Sequence, residues 1–162
     1  RGRDLLDLKA DDVSRWRRDE LGFVFQFHFL MPDLTAYENL LVPVRLRAEP
    51  AADDHARADE LLEAMGLSDR SDHLPGELSG GEQQRVAVAR AFMNDPSLVM
   101  ADEPFGNLDR DKGIELADML FDRARTRSAG LVIVTHDPGL ADRADRILIL
   151  EDGRLVPGGS TS

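Results

Sequence analysis

The chain has 162 residues, of which 42% are hydrophobic and 31% charged, with no cysteine and a net charge of −11. That length fits one domain with enough apolar content for a core, which excludes wholesale disorder. The missing cysteines exclude disulfides, thiol catalysis and Cys-ligated zinc and fit a reducing compartment, while the acidic balance argues against a nucleic-acid backbone as main partner.

The chain opens on Arg1-Gly2-Arg3-Asp4, with neither Met nor cap, and reads as truncated at its front. No signal peptide, membrane-length apolar run or internal repeat follows. Trp16 with Arg15, Arg17 and Arg18 reads as a solvated face. Leu21 to Gln26 (LGFVFQ) is a short aromatic and apolar run, expected to be a buried strand. Thr35-Ala36-Tyr37-Glu38 has capping-box spacing and opens a helix that Pro43 should disturb. Asp53 to Met65 places Ala58, Leu61, Leu62 and Met65 on one helical face, and Gly66 stops it. A helix over Ser79 to Asn94 ends at Asp95-Pro96, and Ser97 to Asp102 (SLVMAD) is a second buried strand. Asp109 to Arg127 is helical, with Ile114, Ala117, Leu120 or Phe121, and Ala124 inward. Leu131 to Thr135 (LVIVT) is a third strand, and Arg146 to Val156 is a hairpin turning at Asp152-Gly153. Pro157 to Ser162 reads as a mobile tail. Apolar strands separated by helices predict an α/β sheet, mostly parallel and covered on both faces. The stretch from about Leu30 to Asn94 is a helix-only insert between two of its strands.

The three strands end alike. The first ends in Gln26, the second in Asp102 with Glu103 next, and the third is followed by His136 and Asp137. Ligands of open parallel sheets bind beyond the carboxyl ends of the strands. Adjacent carboxylates there suit a hard cation such as Mg2+, one holding the metal or its water and the other orienting a nucleophilic water. Any one of these residues could instead simply close its strand.

Leu78-Ser79-Gly80-Gly81-Glu82-Gln83-Gln84-Arg85 is the sharpest local signal. Ser79 and Glu82 have the spacing of a capping box, which leaves the glycines unexplained. Each Gly costs up to about 1 kcal/mol relative to Ala inside a helix. The pair makes sense if the backbone must come close to something. Bare N–H groups at a helix N-terminus attract phosphate, and the Ser79 hydroxyl adds a donor.

LSGGEQQR, then VAVARAFMNDP, LVMADEP, GNLD and VTHD, in this order and spacing, resemble the nucleotide-binding subunit of an ABC transporter over essentially the whole chain. GFVFQFHFLMPDLTAYENLLVPV and ADEPFGNLD are similar to the lipoprotein-releasing and macrolide-exporter branch, with cell-division ATPases as near neighbours. Phe105 departs from that branch, which often has Thr there. The resemblance implies an α/β fold: a P-loop NTPase-type ABC ATPase core, mostly parallel sheet flanked by helices, with a helical subdomain and an incomplete N-terminus. Residues 1–29 and 95–156 would be core, 30–94 the helical subdomain with the signature, and 157–162 a flexible tail.

Residue by residue, the resemblance implies that Gln26 senses Mg2+ and the γ-phosphate and couples to the membrane partner. Ser79, Gly80 and Gly81, with Glu82, would form the signature against ATP held by the opposite subunit. Asp102 would act on Mg2+, Glu103 as general base, Asp109 at the dimer seam and His136 on the γ-phosphate. Taken alone, Asp109 reads as a helix N-cap and His136 as a structural histidine. His28, His55 and His73 receive no role. The implied cofactors are ATP and Mg2+. The implied partners are a second ATP-binding subunit and transmembrane permease subunits, with no nucleic acid and membrane contact only through the permease. The implied location is the cytoplasmic face of the plasma (inner) membrane.

The phosphate-cradling loop G-x-x-x-x-G-K-[ST] does not occur. The only lysines, Lys9 and Lys112, sit in no Gly-rich loop. In the family that loop and the adenine-stacking aromatic lie upstream of the Gln26 strand, so residues 1–162 alone are expected to bind ATP poorly and turn it over negligibly. The leading expectation is an ATP-hydrolysing subunit that powers lipoprotein release or export. The alternatives are a cell-division-type or other non-transport ABC ATPase, and a catalytically dead module.

Overall fold

A computed structural model describes residues 4–158. Helix α1 (Ala10–Glu20) leads directly into strand β1 (Leu21–Phe25). No apolar stripe announces α1, and none of its residues is buried. Strands β1, β2 (Leu98–Asp102) and β3 (Gly130–Val134) form one parallel sheet in chain order. Between β1 and β2 lie α2 (Ala36–Arg45), α3 (Ala52–Ala64) and α4 (Gly80–Ala91), with no strand among them. Helix α5 (Arg110–Thr126) connects β2 to β3. After the short α6 (Pro138–Ala141), β4 (Leu148–Glu151) and β5 (Arg154–Pro157) form an antiparallel hairpin. Its turn, Asp152-Gly153, has both residues at positive φ, 47° and 76°, as a tight two-residue hairpin requires.

Alternation along the strands separates two faces of the sheet. Val24, Val99 and Ala101 point into the core with α4 and α5, where Val86, Val88, Ala89, Leu116 and Leu120 are fully buried. The opposite face carries Phe25, Met100, Val132 and Val134, all exposed. The expectation of a sheet covered on both faces is therefore corrected. Among the described residues, helices supply one covering layer only, because α4 and α5 pack on the same side.

Alpha4 lies so close to β1 that a Cβ on Gly22 would run into the carbonyl of Ala91. Glycine lets the helix reach the strand. Alpha3 buries the anticipated Ala58, Leu61, Leu62 and Met65, and Gly66 ends it at φ 65°. Alpha5 differs by one position: Ile114 is exposed, and Leu116 is buried instead. Pro43 does not break α2, which continues to Arg45, because the proline falls in its last turn where little helix remains to lose. Pro157 belongs to β5 opposite Leu148 rather than to a tail. The rest of the expected tail, 159–162, and residues 1–3 lie outside the described residues. Glu60 of α3 accepts hydrogen bonds from Arg123 of α5 at 2.9 Å and from Arg127, which caps the end of α5, at 2.9 and 3.0 Å. These guanidiniums, Arg123 foremost, hold the Glu60 carboxyl below its ordinary range and tie the helical insert to the core.

Gly22→Ala is expected to destabilise the chain by about 1–3 kcal/mol, as overpacking does. Urea denaturation would show this as a lower midpoint at unchanged slope.

Candidate functional site

The register of the parallel sheet aligns Phe25, Asp102 and Val134 across its carboxyl edge. Gln26, Glu103 and the segment Thr135–His136 therefore leave the sheet side by side. The Glu103 backbone N–H still donates to Val134 O at 2.9 Å, but its own φ is +42°, in the left-handed region that bulky residues avoid. Backbone strain at such a position is the kind stored where a side chain must be aimed.

That aim is visible. Glu103 Oε1 lies 2.7 Å from His136 Nδ1, and Thr135 Oγ1 approaches Glu103 Oε2 at 3.5 Å. The Glu103 side chain is 24% exposed and that of His136 85%, so the carboxylate is recessed beneath an open imidazole. Asp102 is exposed beside them, and its carboxylate has no protein partner among the described residues. Gln26 and Asn107 exchange two hydrogen bonds, Gln26 Nε2 to Asn107 Oδ1 at 3.3 Å and Asn107 Nδ2 to Gln26 O at 3.0 Å. Gly106 permits this closeness, since a Cβ there would lie 3.3 Å from Gln26 Nε2. The departure at Phe105 is absorbed by packing: its half-buried ring joins both core clusters.

Mg2+ takes one or two carboxylates, with substrate phosphates and waters completing its shell. A free Asp102 at the mouth of the edge fits that need. Among the described residues no cluster of three or more His, Asp or Glu side chains could hold a metal alone. The donor set thus suits a cation that arrives with a phosphate ligand.

The glycine-rich turn lies at the start of α4. The Ser79 hydroxyl accepts from Glu82 N at 3.3 Å, and Glu82 Oε2 accepts from Ser79 N at 2.8 Å, so the capping box forms. The Ser79 hydrogen bonds, helped by Arg70, hold the Glu82 carboxyl below its ordinary range. The Ser79 hydroxyl proton stays free to donate. Neither Gly80 nor Gly81 has positive φ. A Cβ on Gly80 would meet nothing within 4 Å, and one on Gly81 only ordinary contacts with Lys112 and Leu108. Nothing among the described residues requires these glycines. Ser79, Gly81, Glu82, Arg85 and Lys112 line an open cleft of about 260 Å³ between α4 and α5. Asp109 caps α5, accepting from Lys112 N at 3.1 Å, and that hydrogen bond, with the nearby Lys112 ammonium, keeps its carboxyl below the usual range. The capping role expected of Asp109 alone is present.

The site residues thus fall into two groups. Gln26, Asp102, Glu103 and His136 share the sheet edge, while Ser79, Gly80, Gly81 and Glu82 share the α4 start, with Asp109 at the neighbouring α5 start. Sequence reading missed Asn107, Asn39 and Gln84. Asn107 stood within GNLD without a role. Asn39 is wholly buried and binds Met31, Leu34 and Thr35 through its amide, which pins the loop after Gln26. No spacing rule signals a buried amide that ties down a loop.

The family model described as ABC transporter matches residues 1–106. The lipoprotein-releasing system ATP-binding protein LolD 1 of Rhodospirillum rubrum is 48% identical over 149 residues, 92% of this chain and 66% of that protein. LolD of Bacteroides fragilis is 44% identical over 155 residues, 96% of this chain and 72% of that protein. The uncharacterized ABC transporter ATP-binding protein YbbA of Escherichia coli K12 is 48% identical over 154 residues, 95% of this chain and 68% of that protein. The dimeric post-hydrolysis structure of the ATP-binding cassette MJ0796, bound to ADP and Pi, superposes with a TM-score of 0.79 at 38% identity, covering 93% of this chain and 68% of that one. The chain spans about two thirds of the length of the curated relatives it matches.

If the α4 glycines serve an external ligand, Gly80→Ala should leave the stability of the chain unchanged or raise it by up to about 1 kcal/mol. A lower urea midpoint would instead show an internal need for the glycine.

Proposed function

The chain belongs to the ABC transporter family of ATP-binding, ATP-hydrolysing proteins, and from that premise we propose that it is the greater part of a subunit whose ATP hydrolysis powers lipoprotein release or export. The observation that carries the catalytic part is the recessed Glu103 carboxylate, 2.7 Å from His136 and adjacent to the free Asp102. The lipoprotein substrate rests on the names of the LolD relatives alone, and YbbA, as similar, has no stated substrate.

The roles follow from the chemistry of the groups. Asp102 would hold Mg2+, directly or through a water, and the ion would supply positive charge against the phosphoryl group being transferred. Glu103 orients the attacking water and accepts its proton. His136, drawn from Glu103 to the terminal phosphoryl group, donates a hydrogen bond to the charge that develops there. Gln26 leaves Asn107 to meet the same group, and its loop, with the exposed Phe27 and Phe29, faces a permease subunit. Ser79, Gly80 and Gly81 offer a hydroxyl and backbone N–H groups to the γ-phosphate of ATP held by a second copy, while Asp109 lies at the seam between copies. These 162 residues do not include the G-x-x-x-x-G-K-[ST] motif that would cradle the triphosphate. No helix among the described residues is long and apolar enough to cross a membrane. The proposed attachment is through a permease at the cytoplasmic face of the inner membrane.

Glu103→Gln in the complete protein should retain ATP binding and lower turnover by about a hundredfold or more. Hydrolysis at the wild-type rate would remove Glu103 from the mechanism. Ser79→Arg should spare nucleotide binding by the monomer and abolish ATP-dependent dimerisation in size-exclusion chromatography. Loss of monomer binding would show that the turn acts on its own subunit's nucleotide.

A further inference from the structure

One buried polar side chain in the interior has no part in the mechanism above. Gln84, one and a half turns into α4, is 1% exposed. Its Nε2 donates to Phe25 O at 3.1 Å and to Pro104 O at 2.5 Å. Its Oε1 is buried with no partner among the described residues. A buried amide is costly unless its hydrogen bonds recover the desolvation, and an interior carbonyl left unpaired costs in the same way. An apolar residue would avoid the cost at Oε1 but would take the donor away from Phe25 O and Pro104 O.

The two carbonyls it binds are informative. Phe25 immediately precedes Gln26, and Pro104 immediately follows Glu103. One amide group therefore spans the two loops that carry the phosphate-sensing amide and the general base. Six residues further along the same helix, Arg90 donates to His28 O at 2.7 Å and to Phe29 O at 2.8 Å. The Gln26 loop is thus held by α4 on both sides of Gln26. Both loops also contain a non-glycine residue at positive φ, Phe29 at 45° and Glu103 at 42°. Such conformations persist only where surrounding contacts enforce them.

We propose that Gln84 is a positioning residue: its amide fixes the separation of the Gln26 and Glu103 loops and ties both to the helix whose N-terminus carries Ser79, Gly80 and Gly81. A shift of α4 caused by a ligand at its N-terminus is then transmitted to the residues that act on the nucleotide of the same subunit. Gln84 touches no reacting atom; it acts through Gln26 and Glu103, and the inference rests on the roles proposed for them.

The test is steady-state ATP hydrolysis by the complete protein and its Gln84→Met variant, which keeps side-chain length and removes both donors. Displacing catalytic groups by about 1 Å can cost a hundredfold in rate. Gln84→Met is expected to lower kcat about tenfold or more, with KM for ATP within about threefold, because binding is left to other residues. Gln84→Asn, which keeps an amide on a shorter side chain, should lose less. A folded Gln84→Met protein with wild-type kcat, or one changed only in KM, overturns the proposal. Failure of both variants to fold would also overturn it, by showing that the amide serves stability alone. Wild-type protein without turnover, or Glu103→Gln with it, would instead remove the catalytic reading on which the inference rests.

Discussion

Parallel pairing of β1, β2 and β3 is the constraint on which everything else in this chain depends. Register sets Phe25, Asp102 and Val134 level with one another. Each strand then releases its next residues at the same edge, so an amide, two carboxylates and an imidazole distant in sequence become neighbours. A slip of one residue in β2 would turn Asp102 to the core face and remove Glu103 from His136, since side chains alternate with a period of two. The apolar face of the sheet enforces the register, because Val24, Val99 and Ala101 must all remain buried against α4 and α5.

The helices do more than cover that face. Alpha4 begins with the glycine turn, continues through the amide of Gln84 and the guanidinium of Arg90, and ends against Gly22. One rigid element thus runs from the anion-seeking end of the insert to the strand that delivers Gln26. The Glu60 contacts with Arg123 and Arg127 join the insert to α5 at a second place. Glu103 pairs with His136 across the ends of β2 and β3, so the same edge is closed by a side-chain contact as well as by the sheet.

Local sequence carried much of this. The three strands, the helices at the Thr35, Asp53, Ser79 and Asp109 starts, and the Asp152-Gly153 turn were legible because each depends on neighbours a few residues apart. Helix α1 was not, because Val13 and Trp16 alone form its apolar side and neither is fully buried. Ile114 was assigned inward and Leu116 overlooked, since a long helix offers several overlapping faces and only its partner selects one. The doubly covered sheet was inferred from apolar strands, but composition says that a face seeks cover and not where the covering residues lie.

The candidate site residues divide along the same line. Gln26, Ser79, Asp102, Glu103 and His136 announced themselves by chemistry at strand ends or at a helix start, and the family resemblance implied roles for them. Asn39, Gln84, Arg90 and Asn107 did not, since an amide or guanidinium that binds a distant carbonyl leaves no periodic trace. The amino-acid sequence by itself determined which segments become strands and helices and which chemical groups stand at their ends, because propensity, capping and alternation are local. Only the tertiary structure decided that Glu103 faces His136, that Gln26 exchanges hydrogen bonds with Asn107 and that Gln84 links two loops, because those contacts join residues 20 to 81 positions apart and exist only when the sheet closes its register and α4 packs on it.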